Sequence, residues 1–325
     1  MIEQGPTPDV VDSIVSILYS DVEKEFAKSI LQRTTRKSES ISWSNLIGME
    51  NAKSAILNSV VGPILNPKVF QFPMRGMLLY GPPGTGKTFI SKATATESKA
   101  TFFYVDEAAI KSEKHSETER MISALFRLAR FLQPSVVFID EAESLLRSPI
   151  QSDHPDIRTI FEKEMDGFNS FSGDRVFVMA ATNSPWSLEK PVIDRLAILI
   201  YVPLPSEQQR MTVLTAILSK MNNNLNDEDI ARLASQTTYF SHRNLINLCR
   251  VAQSKATLNL IDPNKLDSVL QISEPEMVPI EYSHFEYALQ LVRPNVSAEE
   301  VRKYEEWQPN VAGQPQKRRS VPLTD

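Results

Sequence analysis

The octapeptide GPPGTGKT, Gly81 to Thr88, constrains this chain more than any other feature because of what flanks it. Before it runs GMLLY (76–80), a short apolar segment that reads as a buried strand, and a helix is expected to follow Lys87. A G-x-x-x-x-G-K-[ST] pattern set between a strand and a helix is a phosphate-holding loop; elsewhere the same letters are a chance match. Gly81, Gly84 and Gly86 let the backbone curl until its N–H groups face the phosphates. Pro83 and Thr85 belong to the same cradle. Lys87 brings a point charge to the β- and γ-phosphates, and Thr88 offers a hydroxyl to Mg²⁺. The competing reading is a plain Gly-Pro turn.

A second motif answers the first. In VVFIDEAESLL an apolar strand ends in Asp140-Glu141, which would project both carboxylates toward the same loop. Asp140 would hold Mg²⁺, through water, and Glu141 would polarise an attacking water as general base. An acidic pair at a strand end can also be a helix cap. Asn183, closing VMAATN, is the expected third element, a polar side chain orienting that water near the γ-phosphate. As an alternative it is a turn residue before Ser184-Pro185.

Strands and helices alternate through this region. TFFYV (101–105), SVVFID (135–140), RVFVMAATN (175–183) and AILIYVPLP (197–205) read as further strands. Ala52, Ile56 and Val60 form a helical stripe closed off by Gly62-Pro63, and Met121, Leu125, Leu128 and Leu132 line a helix ending before Pro134. Such alternation argues for an α/β fold, a parallel sheet covered on both faces. After Pro203-Leu204-Pro205 the strand signal fades and helical stretches take over, giving a smaller helical lid. Residues 1–40 read as an amphipathic helix, Val10 to Ile30, and a polar basic connector, QRTTRKSES.

Composition excludes several classes. No apolar run reaches membrane-spanning length, and the opening MIEQGPTPDVVD is not expected to be a signal peptide. Net charge is −5, so there is no direct nucleic-acid signal. The single cysteine, Cys249, forbids an intrachain disulfide and fits a reducing compartment; the expected location is the cytoplasm, with the nucleus as the alternative.

The segments GMLLYGPPGTGKT, QPSVVFIDEAESLL, AATNSP and IYVPLP resemble the AAA ATPases, in particular the meiotic clade of katanin, spastin, fidgetin and the ESCRT-disassembling ATPase. The likeness runs from about Trp43 to Trp307. WSNLIGMENAK, LINLCRVA and VRPNVSAEEVRKYEEW are most similar to the fidgetin-like branch. The resemblance implies a RecA-like AAA ATPase large domain (41–205), a helical lid subdomain (206–292) and a C-terminal helix. Within 293–325 the tail QPQKRRSVPLTD lacks the apolar content to fold and is expected to be disordered, and residues 1–40 stand as the N-terminal helix and linker. The resemblance also implies a homo- or hetero-hexamer with ATP bound between subunits and a central pore that pulls on a polypeptide. Ile47 and Gly48, the IG of NLIGME, would line the adenine pocket.

Departures from the family pattern are equally informative. Where the first pore loop carries a lysine and an aromatic, this chain has Glu113 and Lys114, with Ser116 in place of a glycine. Pro155 and Asp156 replace the arginines of the second pore loop. Ahead of IYVPLP the family has two arginines that reach a neighbour's ATP; here Asp194 replaces one, leaving Arg195 as the finger or as a surface ion pair with Asp194 or another acid. In the lid, Arg243 falls where distant relatives sense the γ-phosphate, or is a solvated helix start.

The expected function is therefore a Mg²⁺-dependent ATPase that remodels protein assemblies, microtubules being the favoured substrate through tubulin. The alternative is a nucleotide-binding regulatory or hetero-oligomeric subunit with little substrate threading. Any recruiting element is expected in the first 40 residues, a partner or a longer isoform; Arg33, Arg36 and Lys37 form the basic segment there.

Overall fold

The computed structural model describes residues 21–35, 42–43, 46–47, 49–70, 75–110, 115–146, 157–169, 174–258 and 278–307, without side chains at 32–35, 115–116 and 168–169. Glu113, Lys114, Pro155, Asp156 and Gly48 lie outside the described residues, as do Val10 to Ser20 of the expected first helix.

Five strands form one parallel sheet: β1 (Gly76–Tyr80), β2 (Thr101–Val105), β3 (Ser135–Ile139), β4 (Val176–Thr182) and β5 (Ile198–Tyr201), in the spatial order β2-β3-β4-β1-β5. Alternate residues leave the strands on opposite faces. Leu78, Val137, Val178 and Ala180 enter one core, whereas Met77, Leu79, Phe138, Met179 and Ala181 enter the other. Both faces are dry, which is why these strands read as continuous apolar runs rather than alternating ones.

Helices cover both faces. On the first lie α1 (Asp21–Thr35), α4 (His115–Phe131) and α5 (Ile157–Asn169); on the second lie α2 (Glu50–Ile56) and α3 (Lys87–Ser98). The chain runs on from α2 through a π-helical turn (Leu57–Val61) and a last turn (Gly62–Leu65), so Gly62-Pro63 does not end it. Pro63 has no N–H to donate, and it sits where the widened π register returns to α, so its missing donor coincides with a break already present. The helix α1 extends into the expected connector. It buries Phe26, Ala27, Ile30 and Leu31 in the sheet's core, and its buried Glu23 pairs with Arg127 of α4. Each large apolar side chain so buried contributes about 1.5–3 kcal/mol.

Beyond β5, the short α6 (Lys190–Arg195) having preceded it, come α7 (Glu207–Leu218), α8 (Asp227–Gln236), α9 (His242–Leu258) and α10 (Tyr282–Leu291). They enclose a third core around Leu214, Leu233, Leu248, Cys249 and Phe285. Buried Arg210 joins this unit to the sheet, donating to the carbonyls of Ala234 and Pro205. The last described helix, α11 (Ala298–Glu306), returns to the sheet.

Candidate functional site

The sheet order places the site. The carboxyl ends of β1, β3 and β4 lie side by side, with β4 between the other two, and carry the glycine loop, Asp140-Glu141 and Asn183 respectively. In open parallel sheets this edge is where ligands bind.

The loop is built so that no side chain fills it. Gly84 (φ 78°) and Gly86 (φ 98°) occupy left-handed backbone that L-residues disfavour. A Cβ on Gly84 would meet Ser241 Oγ at 2.7 Å and Arg243 Cβ at 3.0 Å, and one on Gly86 would meet Met49 Cε at 2.7 Å. Thr85 is buried and turns its hydroxyl inward onto the Pro82 carbonyl (3.0 Å). Pro83 is partly exposed beside it.

Lys87 opens α3 and is 7% exposed. Its ammonium donates to the carbonyls of Gly81 and Pro82, both at 2.8 Å. Burial pulls its pKa down to about 8, against the opposing pull of Glu143 and Asp140. Next to it, Thr88 Oγ1 donates to Asp140 Oδ2 at 2.9 Å, closing the loop onto the end of β3. A hydroxyl and a carboxylate in contact are the hard oxygen ligands that Mg²⁺ takes, and no cluster of three or more His, Cys, Asp or Glu occurs among the described residues. A metal here would complete its shell with phosphate oxygens and water, so the residues present fit Mg²⁺-nucleotide and not a metal held by protein alone.

Glu141 has left-handed backbone (φ 49°, ψ 51°) and an exposed side chain. Holding a non-glycine residue there costs on the order of 1–3 kcal/mol, and such strain gathers at functional sites. Asn183 follows β4, its N–H donating to Glu143 Oε1 at 3.2 Å. The lid reaches the loop through α9, where Arg243 N donates to Gly84 O at 3.2 Å. The Arg243 guanidinium is exposed, forms no hydrogen bond or ion pair among the described residues, and lies close enough to Lys87 to lower its pKa. Ile47 packs against the lid core while its neighbours Leu46 and Met49 pack against the sheet, so the segment bridges the two units. Its carbonyl lies 3.4 Å from His242 Nε2, whose ring burial lowers its pKa.

Thus Gly84, Lys87, Thr88, Asp140, Glu141, Asn183 and Arg243 gather at one edge, and Ile47 lies at the lid seam. Arg195 does not join them. Its carbonyl sits against Gly76, the first residue of β1, whereas the loop follows the last. Five strand residues at about 3.3 Å each separate the two by roughly 15 Å. Its guanidinium holds both oxygens of Asp166, at 3.0 and 2.7 Å, and approaches Glu162 at 3.5 Å; these acids, not Asp194, are its partners.

Two site residues escape a motif reading. Tyr104 donates its hydroxyl to Asp140 Oδ2 at 3.1 Å. Its register opposite Phe138 puts it on the face of Asp140, a parity visible only once β2 and β3 are known to pair. Glu143 lies three residues beyond Asp140, close to one helical turn, and its Oε2 is buried with no hydrogen-bond partner among the described residues.

Residues 77–204 match the family model for the ATPase family associated with various cellular activities (AAA), and 267–311 match the Vps4 C terminal oligomerisation domain. Human fidgetin-like protein 1 is 35% identical over 293 residues, covering 88% of this chain and 43% of that protein. Chicken spastin is 35% identical over 308 residues, covering 93% of this chain and 50% of that one. The chain thus spans about half the length of these relatives. Among solved structures, the FIGL-1 AAA domain in complex with ADP superposes with TM-score 0.77 at 29% identity, covering 90% of this chain and 97% of that one. A katanin chain, from work on katanin self-assembly, superposes with TM-score 0.72 at 31% identity, covering 89% and 96%.

Proposed function

The chain belongs to the AAA ATPases, of the spastin, fidgetin and katanin type, and from that premise we propose that it hydrolyses Mg²⁺-ATP within a hexameric ring and remodels a protein assembly, microtubules being the favoured substrate. The observation that carries this reading is the convergence of Lys87, Thr88, Asp140, Glu141 and Asn183 at one sheet edge, with Thr88 and Asp140 already in contact.

ATP is the substrate whose γ-phosphoryl group is transferred, and Mg²⁺ bound with it would supply charge neutralisation. The loop N–H groups and Lys87 would hold the phosphates. Thr88 and Asp140 would hold the metal. Glu141 accepts the proton of the attacking water, and Asn183 orients that water. Ile47, at the seam between sheet and lid, would border the base. Arg195, a strand length from its own chain's loop, can serve only a neighbour's site, which supports an obligatory assembly. The match of 267–311 to an oligomerisation domain supports the same conclusion.

A second reading, a regulatory subunit of a mixed ring, is favoured by one observation. Arg195 is held by Asp166 and Glu162 and stands beside Asp194, so freeing it for a neighbour's phosphate requires breaking a two-pronged pair. Microtubule loss per ATP hydrolysed distinguishes the readings. ATP-dependent shortening by the chain alone supports the first; turnover and shortening seen only on mixing with a related ATPase support the second.

A further inference from the structure

One contact ties the catalytic edge to a helix 121 residues further along the chain. Asn183 leaves β4 with both backbone polar groups held by side chains. Its N–H donates to Glu143 Oε1 at 3.2 Å, and its carbonyl accepts the hydroxyl of Tyr304, on α11. The turn that aims the Asn183 side chain is therefore clamped from two sides, one belonging to the strand-end acidic motif and the other to α11.

The seat of α11 is aromatic. Tyr304 packs on Trp186 (5.1 Å between ring centroids) and Tyr201 (6.3 Å), and Trp307 meets Tyr80 edge-on at 4.6 Å. Lys303 lies 3.7 Å over the Trp186 ring. Tyr80 immediately precedes Gly81, so Trp307, capping the helix, touches the approach to the phosphate loop while Tyr304 holds the Asn183 turn. A nine-residue helix is marginal on its own. Its conformation therefore depends on this seat, and so does the Tyr304 hydrogen bond.

We propose that Tyr304 is a positioning residue. Its hydroxyl, holding the Asn183 carbonyl while Glu143 holds the N–H, fixes the direction in which Asn183 presents its amide to the γ-phosphate and makes that direction depend on the seating of α11. The proposal rests on the assignment of Asn183 to the γ-phosphate. Because α11 falls within the match to an oligomerisation domain, a shift of this helix on assembly reaches the catalytic water through one hydroxyl. Unseated, the helix would leave the Asn183 peptide held on one side only.

The test measures γ-phosphate discrimination, the ratio of the Kd for ADP to that for a non-hydrolysable ATP analogue, so it does not depend on turnover. Tyr304→Phe keeps the ring and its packing and removes the hydroxyl. It should reduce the ratio about fivefold, the effect of one hydrogen bond, with oligomer size unchanged. Asn183→Ala should reduce the ratio on its own, and adding Tyr304→Phe to it should reduce it no further. An unchanged ratio in Tyr304→Phe, additive losses in the double variant, or dissociation of the oligomer by Tyr304→Phe would each overturn the positioning role. An unchanged ratio in Asn183→Ala would overturn the Asn183 assignment, and the proposal with it.

Discussion

Replacing Lys87 with methionine should stabilise the nucleotide-free protein while abolishing its response to nucleotide. Lys87 is 7% exposed, and its ammonium bonds two carbonyls but makes no ion pair among the described residues. Its pKa falls from 10.5 to about 8 on folding, with burial the largest cause. At roughly 1.4 kcal/mol per pKa unit, keeping the proton in the folded protein at pH 7 costs about 3 kcal/mol. Below pH 8 both folded and unfolded chains carry the proton, and the whole cost is present. Between pH 8 and 10.5 the folded protein releases its proton while the unfolded chain keeps it, so stability rises with pH. Methionine is of similar length and uncharged, and its loss of two hydrogen bonds offsets about 1–2 kcal/mol of the gain, leaving about 1–2 kcal/mol. Thermal melts at pH 7 should show a midpoint about 2–5 °C higher for Lys87→Met. ADP at a hundredfold excess over Kd should stabilise the parent by about 2.7 kcal/mol and the variant not at all. The gap between the nucleotide-free proteins should close by about pH 10. A variant less stable than the parent at pH 7, or a gap that does not change with pH, would refute the reasoning.

Glu141→Gln should retain nucleotide affinity and lose turnover, because the amide cannot take the proton while Asp140 and Thr88 are untouched; equilibrium binding and phosphate release measure the two separately. Arg195→Ala should cost about 1–2 kcal/mol of stability, since its two-pronged pair with Asp166 is half-buried, yet lower turnover by about 10³–10⁵, and mixing with Glu141→Gln subunits should restore part of the activity. Gly84→Ala should cost about 1–2 kcal/mol for its left-handed backbone and weaken ADP binding, because the new Cβ collides with Ser241 and Arg243 of the lid; calorimetry and an ADP titration report both effects. Phe26→Ala should destabilise by about 3–5 kcal/mol, which denaturant unfolding would register only if α1 is part of the core.

What the sequence made legible were features with local causes. GMLLY, TFFYV and SVVFI are strands at the residues that their apolar runs mark, and GPPGTGKT turns where its glycines permit. Their order in the sheet was not legible, because parallel pairing is non-local and adjacent strands need not be consecutive. Contacts that depend on that order were hidden with it. Tyr104 reaches Asp140 only because β2 lies beside β3, and Glu143 reaches Asn183 only because β4 does. The packing of α1 was also hidden, since a stripe of Phe26, Ile30 and Leu31 reads alike on a docked helix and on an amphipathic linker. Pro63 misled for a different reason: a proline stop assumes an unbroken α register, and a π turn precedes it here. Arg195 was legible as a residue set apart, but its hold on Asp166 requires α5 and α6 to be neighbours, which no local pattern states.

The central claim is that this is an ATPase whose site is completed by a neighbour, and specific activity against protein concentration tests it most directly. With Arg195 a strand length from its own phosphate loop, steady-state turnover per chain should rise steeply with concentration and level off once rings are full, in step with the oligomer seen by light scattering. Turnover per chain that is constant down to concentrations at which only monomer is present would contradict the account.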